Sequence, residues 1–240
     1  MAVRFLPSGD TALLVEFGAA IDRALNDRVL QLRAAIRDAK PAGVIETVPT
    51  FRSLLVHYDP LQTTAADLTR AIEALLDHRQ ERTRTAKLWR VPVCYDLRHA
   101  PDLAEVAERS GLDIDAVVSL HSGTRYHIYM IGFVPGFPYM GDLPERLALP
   151  RRTDPRVRVP AGSVAIATTM TAIYPIESPG GWHLIGATPI RLFDTRRDSP
   201  ALFSPGDAVL FDPITDDAFE EIQAATEAGT YRVPCEETSP

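Results

Sequence analysis

The sequence predicts two domains, an α+β unit followed by a mainly-β barrel, and three observations carry that reading. Strand and helix signals alternate regularly over the first third. A polar stretch without periodicity then interrupts them. Beyond it, short apolar runs sit among turn formers: residues 130–215 hold 12 of the 20 prolines and 8 of the 14 glycines. A length of 240 residues accommodates two domains of roughly 100–150 residues or a little less.

The first elements are short apolar runs, Val3–Leu6 and Ala12–Phe17, split by the turn sequence Pro7-Ser8-Gly9-Asp10. Ile21, Leu25, Val29, Leu32 and Ile36 follow at spacings of four, four, three and four, one face of an amphipathic helix that ends before Pro41 and Gly43. A second cycle repeats the pattern. Val44–Val48 and Leu54–Tyr58 flank a Pro49-Thr50-Phe51-Arg52 turn, and Thr64 with Asp67 forms a capping box ahead of Leu68, Ile72, Leu75 and Leu76. Two rounds of strand, strand, helix make an α+β domain over residues 1–80 with helices on one face of a sheet. Nearly every apolar residue in it has a packing role, and it offers no catalytic constellation.

Glu81–Lys87 reads as the linker, and the second domain spans residues 88–240. It opens with a strand, Leu88–Tyr95, whose Pro92 marks an edge or a bulge. Short helices follow at Pro101–Ser110, with Pro in the first turn, and at Ile114–Leu120. The runs Ile128–Phe133, Ser163–Thr168, His183–Gly186, Ile190–Phe193 and Ala208–Phe211 are strands, and a late helix covers Asp216–Ala228. Many short strands punctuated by Gly and Pro imply a closed or nearly closed barrel with long ordered loops, where binding sites are commonly carried.

Composition narrows the function. The formal net charge is −7 with arginines scattered among acids, which disfavours nucleic acid and acidic membrane surfaces. No apolar run approaches a membrane span, and the first ten residues lack a secretory pattern. The two cysteines, Cys94 and Cys235, form no metal-ligand spacing, so no metal site is expected, and a cytoplasmic location fits.

One collinear set of motifs is specific. It runs Tyr129-Met130-Ile131-Gly132-Phe133-Val134-Pro135-Gly136-Phe137-Pro138-Tyr139-Met140-Gly141, Leu149-Pro150-Arg151-Arg152, Pro155–Ser163, Ile173-Tyr174-Pro175, Ser178-Pro179-Gly180-Gly181-Trp182-His183-Leu184-Ile185-Gly186 and Ser204-Pro205-Gly206-Asp207. Upstream it takes in Leu120-His121-Ser122, Pro92–Tyr95 and the Phe5–Asp10 turn. In order and spacing this set resembles the family of B-type 5-oxoprolinase subunits, whose other names are kinase-A inhibitor and allophanate hydrolase subunit 1. The resemblance implies a cyclophilin-like barrel in the second domain. It further implies a share in the ATP-dependent opening of 5-oxoproline to glutamate, with A-type and C-type subunits as partners and an isolated chain that is inactive. Two alternatives come with it: a module that docks on and inhibits a sensor histidine kinase, and an allophanate-hydrolase or carboxyltransferase-like role. One departure stands out, Met170-Thr171-Ala172 where Gln-Thr-Gly is expected, because a thioether replaces an amide that both donates and accepts.

Phosphorylating and opening a lactam requires cations for anionic groups, donors for the developing oxyanion, and a base. Arg151, Arg152, Arg156 and Arg158 are the cationic candidates, with Arg152 and Arg158 preferred inside the motif. Gly180 and Gly181 are candidates to bring backbone N–H groups to an anion, and Tyr129 and Tyr174 to donate from a pocket wall. His121 is a further anion-binding candidate, or a helix-end histidine. His183 is the preferred acid/base group and Glu177 a second base. Phe133 and Phe137 suit an apolar rim. The chain lacks a P-loop, so ATP with Mg²⁺ is expected mainly on a partner subunit.

Overall fold

The computed structural model describes residues 3–77 and 86–238, and the chain divides into two compact units, Met1–Arg84 and Thr85–Pro240. Residues 81–85 of the expected linker lie outside the described residues. Ala86 and Lys87 are not linker: they begin a strand, with Thr238 and Glu237 as their ladder partners.

The first unit follows from alternation. Strands β1 (Arg4–Pro7) and β2 (Ala12–Glu16) pair antiparallel across the turn in which Gly9 takes a left-handed φ of 65°. Helix α1 (Arg23–Ala39), strands β3 (Val44–Pro49) and β4 (Ser53–Tyr58), and helix α2 (Ala65–Asp77) complete it. The sheet order is β1-β2-β4-β3, antiparallel throughout. Leu13, Val15, Leu54, Val56 and Tyr58 face Val29, Leu32, Ile36, Leu68 and Ile72 in one apolar core. Each fully buried Leu or Ile in it contributes about 1.5–3 kcal/mol over exposure.

Two details correct the sequence reading. Ile21 precedes α1 and is half exposed, because Asp22 caps the helix by accepting from the Leu25 N–H at 3.0 Å. Asn26 is a buried polar exception on an apolar face, its amide donating to the carbonyls of Thr50 and Phe51 and tying α1 to the β3–β4 turn. The Thr64–Asp67 cap is present, with the Asp67 N–H donating to Thr64 Oγ1 at 3.1 Å.

The second unit opens with β5 (Ala86–Cys94), α3 (Leu103–Ser110) and α4 (Ile114–Ser122). Strands β6 (Tyr126–Ile131), β7 (Pro138–Gly141), β8 (Arg156–Val159), β9 (Ser163–Ala167), β10 (Met170–Ile173), β11 (Ser178–Gly180), β12 (His183–Ala187) and β13 (Ala208–Ile214) follow, then α5 (Asp216–Glu227) and β14 (Cys235–Thr238). Seven strands in the order β12-β9-β10-β7-β6-β13-β5 close into a barrel through Ala187 of β12 and Cys94 of β5. All neighbours are antiparallel except β13 and β5, which run parallel from Ala208–Leu88 to Ile214–Cys94. Strand β14 adds to β5 outside the ring, and β8 with β11 forms a separate ribbon. The mainly-β barrel expected for this half is therefore a closed, mixed one.

Strand β5 is an interior strand rather than an edge. Pro92 is tolerated because it lies beyond the β14 ladder, which ends near Trp89, and before the single β12 pairing at Cys94. Helix α3 starts after Asp102, so Pro101 precedes the cap instead of occupying the first turn. Ile190–Phe193 forms no strand, only a bridge from Phe193 to Ala201, although Ile190 and Leu192 still fill the core.

Candidate functional site

Side-chain alternation along β9 and β10 sorts the barrel wall into two faces. Val164, Ile166 and Ile173 enter the core. The opposite face carries Ala165, Ala172 and, in register with Ala172, Tyr139 of β7. Tyr174 follows on that face, and Met170 shares it. Both positions of the Met170-Thr171-Ala172 departure that differ from expectation thus lie on this face, Ala172 directly opposite Tyr139, while Thr171 points inward.

On this face Phe137 is the hub of an aromatic cluster. Its ring centroid lies 4.9 Å from Tyr139, 5.2 Å from Tyr174 and 6.1 Å from Trp182, and exposed Phe133 meets it edge-on at 5.4 Å. The Arg151 guanidinium carbon stands 6.0 Å from the Trp182 ring centroid. Arg151 is exposed and makes no ion pair among the described residues. Burial pushes the Tyr174 hydroxyl up to about 12, while Arg151 and Arg156 pull the other way. Tyr174 is therefore neutral near pH 7. Burial also raises Tyr139, again opposed by Arg151. A guanidinium over an indole, with the neutral Tyr139 phenol 6.2 Å from that ring, suits an anionic group on an apolar ring.

The other arginines are committed elsewhere. Arg156 grips Asp102 with both terminal nitrogens, 2.9 Å to Oδ2 and 2.6 Å to Oδ1. Arg152 donates to the same Oδ1 at 3.1 Å, and the Leu184 N–H to Oδ2 at 2.7 Å. Asp102 is buried at 3% exposure and makes no side-chain cap of α3, since its oxygens are used on these four donors. The cluster locks α3, the 151–156 segment and β12 together. Arg152 is thus a structural cation here, held further by its N–H to the Gly181 carbonyl at 2.8 Å. Arg158 and Glu177 pair with each other on the exposed β8–β11 ribbon, each neutralising the other, and the pairing lowers Glu177. That is a poor state for a base.

The two candidate histidines are interior. His183 is fully buried, and its Nε2–H donates to the Pro150 carbonyl at 3.0 Å, anchoring the segment that presents Arg151. Its Nδ1 is buried without a partner. His121 is also fully buried, stacked on Phe211 at 4.6 Å. Thr171 Oγ1 donates to the Ala165 carbonyl and so accepts from His121 Nε2–H at 2.9 Å; His121 Nδ1 then accepts from Tyr95 Oη at 2.8 Å. Neither imidazole meets solvent, which removes both from direct contact with a solute in this conformation.

Gly180 matters by being small. A Cβ on Gly180 would lie 2.2 Å from Tyr174 Oη, so only glycine lets that phenol seat against the ribbon. Gly181 would make only ordinary contacts, and its carbonyl serves Arg152. Tyr129 is buried and lies against Gly141, where a Cβ would meet its ring at 2.3 Å. The sequence reading ranked Arg151 below Arg152 and Arg158 and missed Asp102. The Trp182 stacking and the Asp102 hub join positions some 30 and 50 residues apart, and no local motif announces them.

The fold is that of the carboxyltransferase-domain family: the family model for the carboxyltransferase domain, subdomain C and D, matches residues 3–203. The chain is 37% identical over 217 residues to the B-type 5-oxoprolinase subunit of Bacillus subtilis (strain 168), a match spanning 85% of this chain and 89% of that protein. It belongs to the family of B-type 5-oxoprolinase subunits. The solved structure of TTHA0988 is 38% identical with a TM-score of 0.77 and covers 89% of this chain. This chain spans only 40% of that one. The K. lactis urea amidolyase shares the fold at 23% identity, TM-score 0.82, over 98% of this chain and 16% of the larger protein.

Proposed function

We propose that this chain is the B-type component of an ATP-dependent 5-oxoprolinase that opens 5-oxo-L-proline to L-glutamate with A-type and C-type partner subunits. The observation that carries the site is the unpaired Arg151 guanidinium over Trp182, beside the neutral hydroxyls of Tyr139 and Tyr174. The substrate carboxylate meets Arg151, the lactam ring lies against the exposed Phe133 and the partly exposed Tyr139, and the Tyr139 hydroxyl donates to the lactam oxygen as charge develops there, with buried Phe137, Tyr174 and Trp182 forming the floor beneath. The name of the B. subtilis relative supports the choice of substrate.

The residues do not fit ATP with Mg²⁺. The carboxylates nearest the arginines, Asp102 and Glu177, are both engaged by guanidinium groups, and no acidic trio forms among the described residues. Magnesium binding needs free carboxylate oxygens and substrate phosphates, so the nucleotide belongs on a partner subunit in this reading. The test is growth on 5-oxoproline as sole nitrogen source. Deletion of the gene should abolish it, and the wild-type chain should restore it together with oxoproline-dependent ATP hydrolysis in the recovered complex. Unimpaired growth of the deletion strain would overturn the proposal.

A further inference from the structure

Away from the aromatic site, the end of β5, the turn after it and the start of α5 bring three donors of different hardness to one point. Cys94 Sγ, a ring nitrogen of His99 and a carboxylate oxygen of Asp216 all lie within 4.8 Å of one another. The parallel ladder explains the meeting: Ile214 pairs with Cys94, so the chain leaving β13 delivers Asp216 over the end of β5. His99 is held by its ring on Phe219 at 4.3 Å and by Nε2, 2.9 Å from Asp216 Oδ1. Cys94 is buried, while His99 and Asp216 are partly open to solvent.

We propose that Cys94, His99 and Asp216 form a binding site for a thiophilic divalent cation of the Zn²⁺ type. One thiolate, one imidazole and one carboxylate favour such an ion over Mg²⁺ or Ca²⁺, which take oxygen ligands. Three protein ligands leave a fourth tetrahedral position for water, reached from the Asp216 side. With metal–ligand bonds of about 2.0–2.3 Å, tetrahedral donors sit roughly 3.5 Å apart, so the trio needs only side-chain adjustment.

A cation already occupies the approach. The Arg98 guanidinium donates to the same Asp216 oxygen, reaches Glu220 Oε1 at 3.4 Å, and has a nitrogen 3.5 Å from His99 Nε2. Its side chain is 54% exposed, so it swings wholly to Glu220 without leaving a buried charge behind. Arg98 is thus the placeholder of the metal-free chain. Binding releases the Cys94 thiol proton to solvent, together with any proton on the coordinating His99 nitrogen.

The full chain is titrated with Co²⁺ as a spectroscopic probe and then with competing Zn²⁺. One Co²⁺ per chain should bind, with a thiolate-to-metal charge-transfer band that Zn²⁺ displaces. Cys94→Ser should lose the band and Cys235→Ala should keep it. His99→Gln and Asp216→Asn should each weaken binding by at least about tenfold, a loss seen even for outer-shell partners. Arg98→Gln should tighten it, which a merely structural cluster would not do. No band in the wild type, or a band that survives Cys94→Ser, overturns the site. If Cys94→Ser fails to fold, unchanged affinity in both His99→Gln and Asp216→Asn overturns it equally.

Discussion

Tyr95 donates its hydroxyl hydrogen to Nδ1 of His121 across 2.8 Å in the core of the second unit. Burial lowers the His121 pKa from 6.5 to about 3, so the folded protein keeps the ring neutral. Between those values the unfolded chain takes up a proton that the folded chain refuses. The stability tied to His121 is therefore fully present above pH 6.5 and is lost as pH falls toward 3, with a slope of up to about 1.4 kcal/mol per pH unit. His121→Gln should flatten this dependence. Urea midpoints measured from pH 7 down to 4 check it, and parallel profiles for the two proteins would refute the assignment.

Asp102 accepts from two arginines and one backbone N–H at 3% exposure. Removing it strands two half-sheltered guanidinium groups, and breaking a buried pair from one side typically costs about 3–5 kcal/mol. Asp102→Ala should lose stability in that range by chemical denaturation. Asp102→Asn should lose less, since its amide oxygen still accepts from Leu184. A loss under about 1 kcal/mol would show that the hub is dispensable.

Arg151 and Arg158 should separate in function. Arg151→Gln should raise KM for 5-oxoproline in the assembled complex by about tenfold or more, the loss of one charge-assisted contact. Arg158→Gln should leave both activity and melting temperature unchanged, because its pair with Glu177 is exposed. Steady-state kinetics on the reconstituted complex decide between them. Equal effects of the two changes would remove Arg151 from the site.

Gly180→Ala should act through Tyr174. The added methyl meets the phenol oxygen at 2.2 Å and must push the ring out of its seat. The shift passes through Phe137 to Tyr139, and displacing a positioned donor by an ångström can cost up to about 100-fold, so kcat/KM should fall while the barrel stays folded. Tyr174 fluorescence quenching or a crystal structure would show the shift; wild-type kinetics would count against the role given to this phenol.

Much of the fold was legible because alternation and helical spacing are local. Val29, Leu32 and Ile36 lie on the predicted helix face, and Thr64 caps α2 through Asp67 as its spacing implies. The short β7, β8, β10, β11 and β14 carry too few residues for a period to register. At the candidate site, the motif stretch 129–186 contains Tyr139, Arg151, Tyr174 and Trp182, but it does not tell how they pack together. The motif favours Arg152 over its neighbour Arg151; Asp102, some 50 residues upstream, takes Arg152 and leaves Arg151. Likewise no spacing links Cys94 to Asp216, which only the parallel β5–β13 ladder brings together.

The ring is closed by one residue pair, Ala187 with Cys94, whereas β5 and β13 hold each other along seven. A hoop fastened so unevenly has a clasp. There Gly186 lies where any Cβ would press on Val93 and the Cys94 carbonyl at 2.8 and 3.0 Å, so the two strands meet flush only because that position is bare. Breathing of the wall should begin at this join, with amide protons of β12 exchanging before those of β13, and whatever grips Cys94 from outside would act as a latch on the whole circle.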